Sequence, residues 1–129
     1  MGIISRVIAH FIAILVGVPA SFVAGAAGFA DGPPILSAER IVAVALTYLA
    51  VGAIFSFCCR LIWRKIPWWH WGISVSIPAV FTVALLGTDI GPGYQAGYIV
   101  AVLASASSGA FIGALPAEAI KRRYSDLNP

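Results

Sequence analysis

Charge is what this sequence has least of. Only 10% of its 129 residues are Asp, Glu, Lys or Arg, against about 25% in soluble domains. The mean hydropathy is +0.96. A soluble domain this small has too little interior to hide so much apolar surface. The shortage therefore excludes an ordinary soluble fold and points to an integral membrane protein. Acids are scarcer than bases, five against eight, and none of either lies within 7–30, 41–59, 66–88 or 90–117. Proton- or ion-coupled transport usually needs a charge inside a span, so this absence argues against it.

Cysteine is confined to the adjacent pair Cys58 and Cys59. Neighbours bridge poorly, and a lone pair has no metal-ligand spacing. The sequence has no nucleophile–base–orienter set, no glycine-rich phosphate loop and no metal constellation. The expectation is a protein that is not an enzyme and has no cofactor. His10 and His70 could ligate a haem axially, but no second feature supports one. A hydrogen-bonded or interfacial imidazole is the default for each.

What is present is four apolar runs. A spanning helix takes about 20 apolar residues. Trimming the Gly/Pro-rich ends predicts helices over about 4–26, 39–63, 68–88 and 95–118, in one domain covering 1–129. "GFADGPPILSAER" (28–40) and "GTDIGPGYQAG" (87–97) read as loops. Pro67 can open the third helix. The fold class is all-α, an integral membrane bundle of four transmembrane helices. The first run also resembles a signal peptide with cleavage after Ala26 or Ala30. It is longer than the usual apolar core and only Arg6 precedes it, so retention is the reading.

Arg6 and Arg64, Asp31 and Asp89, Pro34 and Pro92, and two copies of "IVAV" each recur 58 residues apart (64−6, 89−31, 92−34, 99−41). This suggests two tandem helical hairpins, related by a pseudo-twofold along the membrane normal. In that arrangement Asp31 and Asp89 would form a cation-attracting outer mouth. Without it they are turn aspartates.

The net charge of +3 invites a nucleic-acid reading, but the cations sit at the ends of apolar runs rather than on a polar face. Arg6, Arg60, Arg64, Lys65, Lys121, Arg122 and Arg123 fall on one side of a four-span chain, and only Arg40 on the other. That bias places both termini and the 60–67 loop in the cytoplasm. The expected location is a cell membrane, read as the bacterial cytoplasmic membrane. The stretch "FCCRLIWRKIPWWHWGIS" (57–74) then reads as an interfacial anchor. Trp63, Trp68, Trp69 and Trp71 would lie at the headgroups, with Arg60, Arg64 and Lys65 toward anionic lipid. The partner of this stretch is the bilayer, not nucleic acid.

In lipid, helices associate where small residues let backbones approach. Ala9, Ala13, Gly17, Ser21 and Gly25 recur every four residues, as do Ala101, Ser105, Gly109 and Gly113. These stripes could pack on each other, on a second copy or on a larger partner. Pro19 and Pro78 each remove a backbone hydrogen bond within a span, and Ser74 could cap the carbonyl freed by Pro78.

Two function classes follow. One is a non-catalytic accessory or assembly subunit of a membrane complex, or a self-associating bundle. The alternative is a small oligomeric channel or transporter, including a holin-like pore. A continuous path lined by Ser21, Thr47, Ser76, Thr82, Ser105 and Ser108 would favour transport. A dry interior with an exposed small-residue face would favour a subunit.

Overall fold

The computed structural model describes residues 2–29, 38–63, 65–86 and 92–127. They form α1 (Ile3–Phe29), α2 (Ala38–Ile62), α3 (Trp68–Leu86) and α4 (Pro92–Leu127). No strand occurs among the described residues. Each helix is long and apolar enough to cross a membrane. The reason is physical as well as compositional. With no water in the bilayer core, each backbone N–H and C=O must be paired within the helix.

The largest departure from the sequence reading is α4, which continues through "AEAIKRRYSDL" to Leu127 instead of stopping near 118. Ala, Glu, Ile, Lys and Arg are good helix formers. Pro116 does not end the helix, although it leaves the Ile112 carbonyl without its usual donor. Pro67 stands just before α3, and its carbonyl accepts the His70 amide at 3.2 Å, closing the first turn.

Around the bundle the order is α1, α3, α4, α2. The most extensive interface joins α2 to α4, followed by α3–α4, α1–α3 and α1–α2. Across the diagonal α2 and α3 touch lightly, whereas no contact between α1 and α4 occurs among the described residues. The two hairpins, α1–α2 and α3–α4, therefore lie side by side, with α1 beside α3 and α2 beside α4. A twofold along the normal would match every α2–α3 contact with an α4–α1 contact, so the expected symmetry is not the one adopted. Ser5 meets Trp63 and Arg60 meets Glu118, each pair 58 residues apart.

Glycine decides how closely the helices approach. A Cβ on Gly109 would collide with the Leu49 carbonyl, and one on Gly113 with the Ala53 carbonyl. A Cβ on Gly52 would strike Ala106, and one on Gly72 would stand 2.7 Å from Ser107 Cα. In α1, a Cβ on Gly17 would overlap Val75 O and stand 2.9 Å from Pro78 Cγ, so the proline ring of α3 seats against this glycine. The buried positions of α4 include Val102, Ala106, Gly109, Ala110, Gly113 and Ala114, and those of α1 include Ala9, Ala13, Gly17, Ala20 and Ala24. In the α1 stripe Gly17 faces α3 and Ser21 reaches Tyr48 of α2, while Gly109 and Gly113 of α4 face α2, so the two stripes do not meet each other.

Substitution of Gly113 by Leu forces side-chain atoms into the α2 backbone, and overpacking of this kind costs about 1–3 kcal/mol or more. Gly97 is the internal control, because a Cβ there meets nothing within 4 Å. Thermal unfolding in mild detergent should show a clear loss of stability for Gly113→Leu and almost none for Gly97→Ala. Equal effects would refute the close α2–α4 contact.

Candidate functional site

Three places could carry function: the interior, the end that holds the cations, and the outer surface. Among the described residues the interior is filled. Tyr48, Val44, Trp71, Val75 and Val102 fill it together with alanine methyls. Three of its hydroxyls turn back onto their own helices: Ser21 Oγ donates to Gly17 O (2.7 Å), Thr47 Oγ1 to Ala43 O (2.9 Å) and Ser76 Oγ to Gly72 O (2.7 Å), whereas the fully buried Ser56 Oγ has no hydrogen-bond partner. Thr82 does the same to Pro78 O on an exposed face, and Ser108 is exposed as well. Side chains bonded in this way to the i−4 carbonyl satisfy themselves without water. The six hydroxyls proposed as a path do not line one route.

The end where α1 and α3 start and α2 and α4 finish is held by polar contacts. Trp63 Nε1 donates to Ser5 Oγ at 3.1 Å, joining the end of α2 to α1. His10 Nδ1 and Ser74 Oγ are 2.9 Å apart, joining α1 to α3. Thus Ser74 serves a partner helix, not the carbonyl freed by Pro78. Deeper in the bundle, Ser21 Oγ is also 3.1 Å from the Tyr48 hydroxyl, joining α1 to α2. Interhelical hydrogen bonds in membranes contribute about 0.6 kcal/mol each on average. They fix alignment more than they supply stability.

Arg60 does not reach freely to lipid. Its guanidinium donates to the Ile66 carbonyl at 2.9 Å and to the Glu118 carboxylate, with which it forms an ion pair. Its side chain is only 16% exposed. An arginine held this far out of water needs such a partner. Glu118 is the site residue that sequence reasoning missed. No sequence signal pointed to it, since an arginine and a glutamate 58 residues apart are not among the recurring identities.

Trp71 departs from the anchor reading too. It is fully buried, with its ring 5.9 Å from both His10 and Phe55 and 6.1 Å from Trp63. One side of the first turn of α3 faces the bundle, and position 71 falls there. Trp68 is half-buried and stands edge-on to Phe111 at 5.2 Å, Trp69 is 46% exposed, and Lys65 is exposed. Arg64 and the outer acids Asp31 and Asp89 lie outside the described residues. His10 and His70 rings are 5.3 Å apart. Among the described residues no group of three His, Cys, Asp or Glu could hold a metal ion.

The outer surface is uneven. α1 presents Ile, Val, Phe and Leu outward, and α3 presents Ile73, Ile77, Phe81 and Leu85. On α4 the exposed residues Gly97, Ala104 and Ser108 and the half-buried Ala101 share one face, spaced four, three and four apart. Ser105 is half-buried beside them. This face runs into a groove of about 340 Å³ between α3 and α4, lined by Trp68, Ser107, Ser108, Phe111 and Ile112.

The polar clamp at the cation-bearing end yields a test. Arg60→Ala removes a contact to the 63–67 turn as well as the pair with Glu118, so it should lower unfolding temperature more than Glu118→Gln. In a double-mutant cycle the two effects should be non-additive. Additive effects would mean that the pair does not hold α2 to α4.

No curated protein and no solved structure matches the chain. One family model does, that of the Protein of unknown function (DUF3147), over residues 42–117. The match runs from the first turns of α2 through α3 into α4, and so takes in the α2–α4 contact and the groove. It covers more than half of the sequence, and the chain therefore belongs to the DUF3147 family.

Proposed function

We propose that this protein is a non-catalytic subunit of the bacterial cytoplasmic membrane that associates, through the outer face of α4, with another membrane protein or with itself. The observation that carries this reading is the combination of a filled interior with an outward line of small residues, Gly97, Ala101, Ala104 and Ser108. Small residues facing lipid gain little there, because lipid tails are as apolar as leucine. Against a second helix they permit close backbone contact, as Gly109 and Gly113 do inside the bundle. The reading is non-catalytic in part because two polar side chains that could do chemistry in the spans are engaged structurally: His10 is bonded to Ser74, and Arg60 to Glu118.

The orientation proposed puts both termini and the 60–67 turn in the cytoplasm, from the excess of Lys and Arg at that end. Extraction in mild detergent, native-gel sizing and mass spectrometry of co-migrating chains test the assignment. A larger membrane protein at fixed stoichiometry, or a homo-oligomer silent in liposome flux, is expected. Ala104→Leu, on the exposed face, should dissolve either assembly and leave the monomer folded. A homo-oligomer that conducts ions or solutes in liposomes would replace this reading with the channel alternative. A monomer unaffected by Ala104→Leu would end the association claim.

A further inference from the structure

At the cation-bearing end, the α1–α3 edge of the bundle lies across from the Arg60–Glu118 clamp that joins α2 to α4. Three basic side chains meet at that edge. Arg6 stands one turn before His10 on α1, and His70 faces His10 from the start of α3. The two imidazole rings are 5.3 Å apart, and Arg6 and His10 both lie within electrostatic reach of His70. Arg6 is exposed and both histidines are half-buried, so a ligand can reach the cluster from the membrane surface.

What the cluster lacks is an acceptor. α1 and α3 contain no Asp or Glu. Glu118 is on α4, is paired with Arg60, and belongs to a helix that does not touch α1 among the described residues. Ser74 Oγ is engaged with His10 Nδ1 at 2.9 Å, which leaves Nε2 as the His10 nitrogen for a ligand. Trp71, whose ring is 5.9 Å from His10, is fully buried, and its indole N–H has no acceptor. Both helices also start at this end with no acid in the first turn, so the positive ends of their dipoles are uncompensated. A metal ion fits this place poorly. Arg6 opposes a second cation, and among the described residues no group of three His, Cys, Asp or Glu could hold one. An anion that only accepts hydrogen bonds fits it well. The depth selects which anion. Arg6 is the fourth residue of its span and His70 the third of its own, at the headgroup level, where a bilayer carries its phosphates.

We propose that the α1–α3 edge binds one phosphate group, with the Arg6 guanidinium, the His70 imidazole and His10 Nε2–H donating to its oxygens. Arg6 supplies the charge, and the histidines, one from each helix, fix the position. The phosphate is that of a phospholipid headgroup or of a soluble phosphate compound, which present the same oxygens. The site uses no residue of the outer α4 face and so stands apart from the association reading.

His10 and His70 are the two histidines of the chain, so nitrogen-15 labelling of histidine reports on this site alone. The full chain in maltoside detergent is titrated with inorganic phosphate and, separately, with dihexanoylphosphatidic acid, at fixed pH and ionic strength. One or both should shift the two imidazole resonances to saturation. Sodium chloride and dihexanoylglycerol, which lack the phosphate, should not. Saturation by inorganic phosphate assigns the site to a soluble compound, and saturation by the lipid alone assigns it to a headgroup. Arg6→Gln should weaken binding about tenfold, the loss expected for a charge-assisted hydrogen bond. His70→Gln should abolish the saturable shift of His10. Arg123→Gln removes an exposed cation at the same end on α4 and should change nothing. Circular dichroism shows that each variant is folded. No saturable shift with either phosphate ligand would overturn the proposal, as would an equal response to chloride. So would an equal loss in Arg123→Gln and Arg6→Gln, since that is attraction to the whole basic surface without a site.

Discussion

The approach of α2 to α4 sets the rest of this structure. In water a helix pair is driven together by apolar surface leaving solvent. In lipid that drive is missing, and association depends on how many atoms can touch. Gly109 and Gly113 remove the side chains that would hold the α2 backbone away, and Gly52 does the same from the other side. Because the contact is backbone on backbone, it has little tolerance for sliding. Once α2 and α4 are fixed, α3 can settle on α4 through Gly72, and Pro78 presents its ring to Gly17 of α1. Among the described residues α1 reaches the bundle through α2 and α3 and not through α4.

The polar contacts at the cation-bearing end refine this arrangement. Arg60 bridges α2, the turn at Ile66 and Glu118 of α4, while Trp63 and His10 reach Ser5 and Ser74. The Arg60 and His10 contacts join helices that the glycines have already brought near, and Trp63 adds a tie between α2 and α1. The end is thereby pinned at four helices, and the last turns of α4 project beyond it with Lys121, Arg122 and Arg123 exposed. A basic extension held at a fixed height suits an anionic membrane surface.

Much of the architecture was legible because membrane insertion imposes strict rules. The charge-free runs marked four helices, although α4 begins at Pro92, inside the stretch read as a loop over 87–97. The end of α4 was not legible, because charge marks where a helix leaves lipid but not where it stops. Gly109 and Gly113 stand out in sequence as a small-residue pair. Their partner does not: α2 offers Leu49 and Ala53 through backbone carbonyls, which no side-chain pattern reports. Trp71 shows the same limit. Four tryptophans near a turn suggest an interfacial belt, yet helical rotation turns Trp71 into the bundle and leaves Trp69 outside. Arg60 read as a cation facing anionic lipid because Glu118 is remote in sequence.

The most direct measurement is the set of proton–proton nuclear Overhauser contacts at Gly109 and Gly113 in isotopically labelled protein in micelles. The account predicts cross-peaks from Gly109 Hα to Leu49 and Ala53 and from Gly113 Hα to Ala53. Cross-peaks from these glycines to detergent chains instead, with α2 contacts moved to the Gly97–Ala104 face, would contradict it. The inside and outside of α4 would then be exchanged, and the association surface would be misplaced.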